Sequence, residues 1–335
     1  MNVPWRFIIA LPFGLILGIS VFIGLLYTQL GIPTESSHCI YDVTHAKEVI
    51  AAKKTGSRLL VVGGSSTLFG INTELIEKET GFPAVNVGTA VGLNLDYRFY
   101  RIEKIAHPGD IVLLACEYEL YSEKPDYETA DDYILARDPG YFRQMPLLSK
   151  IYMATRIPFK RFQLGWRNRR HPEHVVVKFA NSPYNPFSAT YYPLNDNGDE
   201  MLNTPENRPP AEFLIGNLAR IIPTLNHGLP SDNNQNFESL ADFIAWAHAH
   251  QITVLATFPN VIHQPVYDQP NGLEAIATIN RFYASHDVPV IGTAQEAMLS
   301  KDEFFDYMYH LTHEAALKRT ERLIPELQPY LHPTK

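Results

Sequence analysis

Arg58-Leu59-Leu60-Val61-Val62-Gly63-Gly64-Ser65-Ser66-Thr67-Leu68-Phe69-Gly70 decides the fold class. Four consecutive branched apolar residues read as a strand buried on both faces, and the small residues behind them allow a sharp turn before a helix starting near Asn72. The same rhythm recurs outward in both directions. Further short apolar runs cover Ala84–Val87, Asp110–Ala115, Ile252–Thr257 and Val288–Ile291. Helical patterns fill the spaces at Thr44–Lys54, Asn72–Thr80, Leu93–Ala106, Phe237–His250 and Leu273–Ser285, with a last helix from about Leu311 to Leu327. Strands alternating with helices predict an α/β three-layer sandwich, a five-stranded parallel sheet with helices on both faces.

Residues Phe7 to Tyr27 carry no charge, and this apolar run is long enough to cross a bilayer as a helix. Arg6 precedes it and no Lys or Arg follows until Lys47, so the positive-inside bias places the tail in the cytoplasm. No Ala-x-Ala site follows, which favours an uncleaved signal anchor over a cleaved signal peptide. The expected organisation is therefore a tail and transmembrane anchor over residues 1–30 and an extracytoplasmic domain over 31–335. The protein is expected in the inner (cytoplasmic) membrane, single-pass, with that domain periplasmic. Within it, about 117–236 is rich in Pro, Tyr, Asn and Asp and reads as an insertion that selects substrate. A formal charge of -8 over 335 residues argues against a general nucleic-acid binder. The two cysteines, Cys39 and Cys116, read as free thiols.

Ser65 stands where a strand turns into a helix, a position in which backbone amides stabilise developing negative charge. A plain structural turn explains that segment equally well, whereas a phosphate-binding loop or a dinucleotide fingerprint would need residues it lacks. The far end of the chain tips the balance. Asp306-Tyr307-Met308-Tyr309-His310 puts a carboxylate and an imidazole on one short segment, so Asp306 can orient His310 as a base for Ser65. Ser66 is the alternative nucleophile. His248 with His250, and His310 with His313, lack the spacing of a metal site, and neither metal nor cofactor is expected.

Gly63-Gly64-Ser65-Ser66-Thr67 resembles the Gly-Asp-Ser-x-Thr block of SGNH (GDSL-like) hydrolases, and Asp306 and His310 resemble that family's closing Asp-x-x-His block with one extra residue between them. The resemblance implies a flavodoxin-like sandwich with Ser65, His310 and Asp306 as the catalytic residues. Asn86-Val87-Gly88-Thr89-Ala90-Val91-Gly92 is similar to the second block, which implies an oxyanion hole drawn from Gly88, Gly92 and Asn86. The family's third block supplies an Asn, but here the strand ends Ala115-Cys116-Glu117-Tyr118-Glu119. Asn86, Asn94 or Tyr118 would have to substitute, or a protonated Glu117.

That departure, together with the anchor, makes the chain resemble membrane-anchored proteins of alginate and cellulose O-acetylation and the teichoic-acid D-alanylation protein D family. The resemblance implies acyl transfer, with acetyl the first candidate, to or from an extracellular polysaccharide beside a membrane-bound O-acyltransferase partner. A non-catalytic assembly or polymer-binding subunit and a simple carbohydrate or lipid esterase are the alternatives. Between Tyr141 and Pro172 lie eight Lys or Arg and no acid, among them Arg167, Arg169 and Arg170. These cations and Trp166, with Tyr118, are the expected substrate-binding residues, a solvated basic face being the competing explanation.

Overall fold

A computed structural model of the chain describes residues 5–89, 92–122, 127–170, 194–229 and 234–332. Its helices begin with α1 (Trp5–Tyr27), α2 (Glu35–Lys53), α3 (Ser65–Gly70), α4 (Thr73–Thr80) and α5 (Leu95–Ile105). They continue with α6 (Tyr127–Arg137), α7 (Pro139–Gln144), α8 (Leu147–Arg156), α9 (Phe159–Arg170), α10 (Ala211–Leu218) and α11 (Pro223–His227). The last are α12 (Gln235–Ala249), α13 (Pro270–Ser285), α14 (Ala294–Ala297) and α15 (His313–Leu327). The strands are β1 (Leu59–Gly63), β2 (Ala84–Asn86), β3 (Ile111–Ala115), β4 (Thr253–Thr257), β5 (Val261–Ile262), β6 (Val290–Ile291) and β7 (Met298–Leu299).

The chain divides into two compact units, Met1–Tyr41 with Tyr127–Asn185, and Asp42–Asp126 with Pro186–Lys335. The stretch expected as one insertion at 117–236 is shared between the units: its first helices, α6 to α9, belong to the unit of the N-terminal segment and its later part to the unit that holds the sheet.

In the first unit, Ala10–Tyr27 of α1 is long and apolar enough to cross a membrane. The turn after it is held by α9. The buried guanidinium of Arg161 donates to Gln29 Oε1 (3.0 Å) and the Ile32 carbonyl (3.2 Å) and pairs with Asp132. Asn168 Nδ2 donates to the Pro33 carbonyl (2.9 Å).

In the second unit, five parallel strands form one sheet in the order β2-β1-β3-β4-β6. Side chains alternate across it, as the pleat requires. Leu60, Val62, Val112 and Leu114 join one core with Phe99 of α5 and Phe243 of α12, whose rings stack at 4.2 Å. Leu59, Val61, Ile111 and Leu113 join another with Ile76 of α4 and with Leu323 and Leu327 of α15. The strands expected from the apolar runs are all present, the fifth shortened to Val290–Ile291. A small parallel pair, β5 with β7, was not foreseen, two-residue strands being too short to carry a periodicity. The buried Arg58–Asp110 ion pair (2.5 Å) closes the amino ends of β1 and β3, leaving the carboxyl ends for chemistry.

Candidate active site

Ser65 is half-buried, the first residue of α3 just beyond β1. Beneath the turn lies Glu117, fully buried, its carboxylate accepting from the amides of Gly64 (2.9 Å) and Ser66 (2.8 Å). Burial raises the pKa of Glu117, and the nearby charge of Arg98 opposes the shift. Arg98 also donates to the carbonyl of Gly63. Gly64 is obligatory here, because a Cβ would stand 2.3 Å from Glu117 Oε1. Ser66 is buried, with its hydroxyl on Asn260 Oδ1 (3.3 Å). Of the two candidate nucleophiles, Ser66 is therefore anchored inward and Ser65 is the accessible one.

The candidate base, His310, is held by a closed loop. Phe304 and Leu311 form an antiparallel bridge, and Phe305 N–H donates to the His310 carbonyl (2.6 Å), so the intervening residues fold back on themselves. That return brings Asp306 Oδ1 to 2.7 Å from His310 Nδ1 despite the extra residue between them. With Nδ1 donating to Asp306, Nε2 is the acceptor; it is buried and has no hydrogen-bond partner. The imidazole stacks on Phe69, with ring centroids 4.1 Å apart and planes 13° from parallel. Phe69 is one helical turn beyond Ser65, so both residues occupy the same face of α3. Thr312, not His310, caps α15, accepting from Ala315 N–H (3.3 Å).

Asn260 and Arg319 tie loop and helix together. Asn260 donates to the Tyr309 carbonyl, while Arg319 of α15 donates to Asn260 Oδ1 (2.9 Å), the Phe258 carbonyl (2.5 Å) and the Gly70 carbonyl (3.2 Å). Burial lowers the pKa of Arg319 to about 10. The sequence singled out neither residue. Asn260 follows β4 in a Phe-Pro-Asn turn without periodic signal, and Arg319 reads as an ordinary helix cation.

Of the expected oxyanion donors, Asn86 and Gly88 are engaged within the fold. Asn86 Nδ2 donates to the carbonyls of Thr67 and Ile71 (both 2.9 Å), and its Oδ1 accepts from Lys47 Nζ and Gly88 N–H (both 3.0 Å). Asn86 is thus a fully occupied clamp between β2 and α3, and the Gly88 amide is committed to it. Gly92 lies in the turn before α5, which Asn94 caps through Tyr97 N–H (3.1 Å). Tyr118, expected at substrate, is fully buried with an unpartnered hydroxyl.

Arg167, Arg169, Arg170 and Trp166 lie on α9 in the first unit. There Arg169 donates to the carbonyl of Thr28 (2.9 Å), just past α1, and Arg167 stands 3.8 Å from Glu35. Arg170 is exposed, and Trp166 packs edge-on to Phe159 (6.5 Å). The later part of the expected insertion instead builds the sheet unit. Asp199 binds Thr73 N–H (2.9 Å) and Glu74 N–H (2.9 Å) at the start of α4, and Asn86 N–H donates to the Asn197 carbonyl (2.8 Å). Beside them Lys47 is buried, and burial lowers its pKa to about 7, Asp199 and Glu200 opposing. Cys116 is a free, buried thiol pushed up to about 12 by burial; the side chain of Cys39 lies outside the described residues. Among the described residues no cluster of His, Cys, Asp and Glu could hold a metal ion.

No family model matches the chain, and no curated protein matches it. Among solved structures it is similar to the YxiM protein of Bacillus subtilis at 12% identity and a TM-score of 0.37. That likeness covers 82% of this chain and 57% of the other.

Proposed function

We propose that the protein is a membrane-anchored serine acyltransferase or acylesterase of SGNH type, acting on an extracellular polysaccharide, with acetyl as the proposed acyl group. One observation carries this reading: a buried Asp306–His310 pair whose free Nε2 lies in an imidazole stacked on Phe69, one turn from Ser65 on the same helical face. The strand order is that of a flavodoxin-like sandwich, which also supports it. In the proposed reaction Ser65 Oγ attacks the acyl carbonyl and gives its proton to His310 Nε2, while Asp306 stabilises the imidazolium. Collapse expels the donor group, which takes that proton, and leaves acyl-Ser65. A sugar hydroxyl or water, deprotonated by His310, then attacks the acyl-serine and releases Ser65. A membrane-bound O-acyltransferase is the proposed acyl donor partner, and α1 is proposed to span the inner membrane with the sheet unit outside.

Full-length protein in lipid nanodiscs, incubated with an activated acetyl ester, tests the chemistry. Labelling on Ser65 that vanishes in Ser65→Ala supports it, and labelling that persists in that variant overturns it. One observation favours a second reading, a non-catalytic assembly subunit: the amide of Gly88 and the side chain of Asn86, two of the three oxyanion donors implied by the resemblance, are occupied. Full polymer modification in cells carrying Ser65→Ala with His310→Ala would select that reading.

A further inference from the structure

Large apolar side chains stand exposed on α8 and α9. On α8, Leu148 is 79% and Tyr152 55% exposed, one turn apart on one face; on α9, Phe159 is 64% and Trp166 39% exposed, two turns apart. Both helices flank α1. Helix α8 packs against it, and Phe162 of α9 meets Phe22 of α1 edge-on at 5.7 Å. Phe162 in turn contacts Phe159 and Trp166, each at 6.4 Å, so one aromatic cluster runs from α1 to the exposed face of α9.

The depth of that cluster follows from helix geometry. Phe22 precedes Tyr27, the end of the apolar span, by five residues, which is roughly 7–8 Å at the α-helical rise. A ring touching Phe22 shares its depth, so Phe162 and its neighbours stand at the boundary of acyl chain and headgroup, where Trp and Tyr are favoured. The exposed cations of α9, Lys160, Arg167 and Arg170, accompany this face; Arg167 stands 3.8 Å from Glu35, and the stretch from Tyr141 to Pro172 itself holds no acid. Their chemistry suits phosphate oxygens.

We propose that the outer faces of α8 and α9 rest in the headgroup layer of anionic phospholipid at the end of α1, with Phe159 and Trp166 as apolar anchors and Lys160, Arg167 and Arg170 on lipid phosphates. The proposal rests on the reading of α1 as membrane-spanning and is independent of the serine chemistry.

The test uses the full chain carrying Trp5→Phe and Trp246→Phe, leaving Trp166 as the sole tryptophan, in nanodiscs containing phosphatidylglycerol. Lipid brominated in the upper acyl chain should roughly halve Trp166 emission while aqueous iodide quenches it little, as expected for a ring at the interface. Lys160→Gln with Arg167→Gln and Arg170→Gln should remove any advantage of phosphatidylglycerol over phosphatidylcholine discs. A chain held in the disc with Trp166 open to iodide and untouched by brominated lipid overturns the proposal, and is the outcome if this face serves a second membrane protein. Equal quenching of the Trp166-only chain with its three cations intact in both disc types overturns the assignment of the cations to lipid phosphate. A chain recovered soluble, outside the discs, overturns the membrane reading and the proposal with it.

Discussion

The imidazole of His310 lies flat against Phe69, 4.1 Å between ring centroids, so one residue of α3 sets the plane of the candidate base while Ser65, one turn earlier, offers the hydroxyl. Phe69 is buried, and Phe69→Ala should cost about 3–5 kcal/mol by removing the packed ring. Phe69→Leu keeps most of the volume without the flat face. Denaturant midpoints should place Leu well above Ala, while both variants slow acylation of Ser65.

Asp306 and His310 meet through a single 2.7 Å hydrogen bond. Asp306→Asn preserves shape but favours the wrong tautomer, with the proton on Nε2. If Ser65 chemistry depends on the pair, turnover should fall by up to about 10⁴-fold with little change in thermal midpoint. Turnover within a few-fold of the unsubstituted chain would exclude Asp306 as the residue that orients His310.

Gly64 and Glu117 fit as lock and wedge, the absent Cβ leaving room for the carboxylate. Gly64→Ala should destabilise by several kcal/mol, and Glu117→Ala should also cost about 1–3 kcal/mol for each buried amide left unpaired. Combined, the two should cost clearly less than their sum, because removing the carboxylate relieves the clash. A double-mutant cycle by urea unfolding measures the coupling, and simple additivity would refute it.

Burial pushes Glu200 up to about 7, with Lys47 opposing, and its Oε2 has no hydrogen-bond partner. Since the folded value lies above the ordinary 4.5, the folded state holds the extra proton in that window. The stability from Glu200 is therefore full below pH 4.5 and lost as the pH rises through about 7. Lys47, lowered from 10.5 to about 7, acts in the opposite direction, its contribution growing as the pH rises from about 7 towards 10.5. Urea midpoints from pH 4 to 8 should fall less steeply in Glu200→Gln than in the unsubstituted chain, and parallel curves would refute the assignment.

By itself the sequence determined the alternation of strands and helices, the apolar N-terminal span and the nearness of Asp306 to His310 on one short segment. These are legible because periodicity and apolarity are local, and because Asp306 and His310 share one short loop. Only the tertiary structure decided what surrounds them. Glu117 reaches Gly64 across 53 residues and Asn260 meets Ser66 across 194, so no local pattern announces either contact. The same holds for Asn86, an expected oxyanion donor whose side chain holds β2 to α3, and for the basic helix α9, expected at substrate but folded around the end of α1. A side chain's chemistry is written in its type, but whether its polar atoms are free is decided by which distant backbone groups folding brings within hydrogen-bond reach.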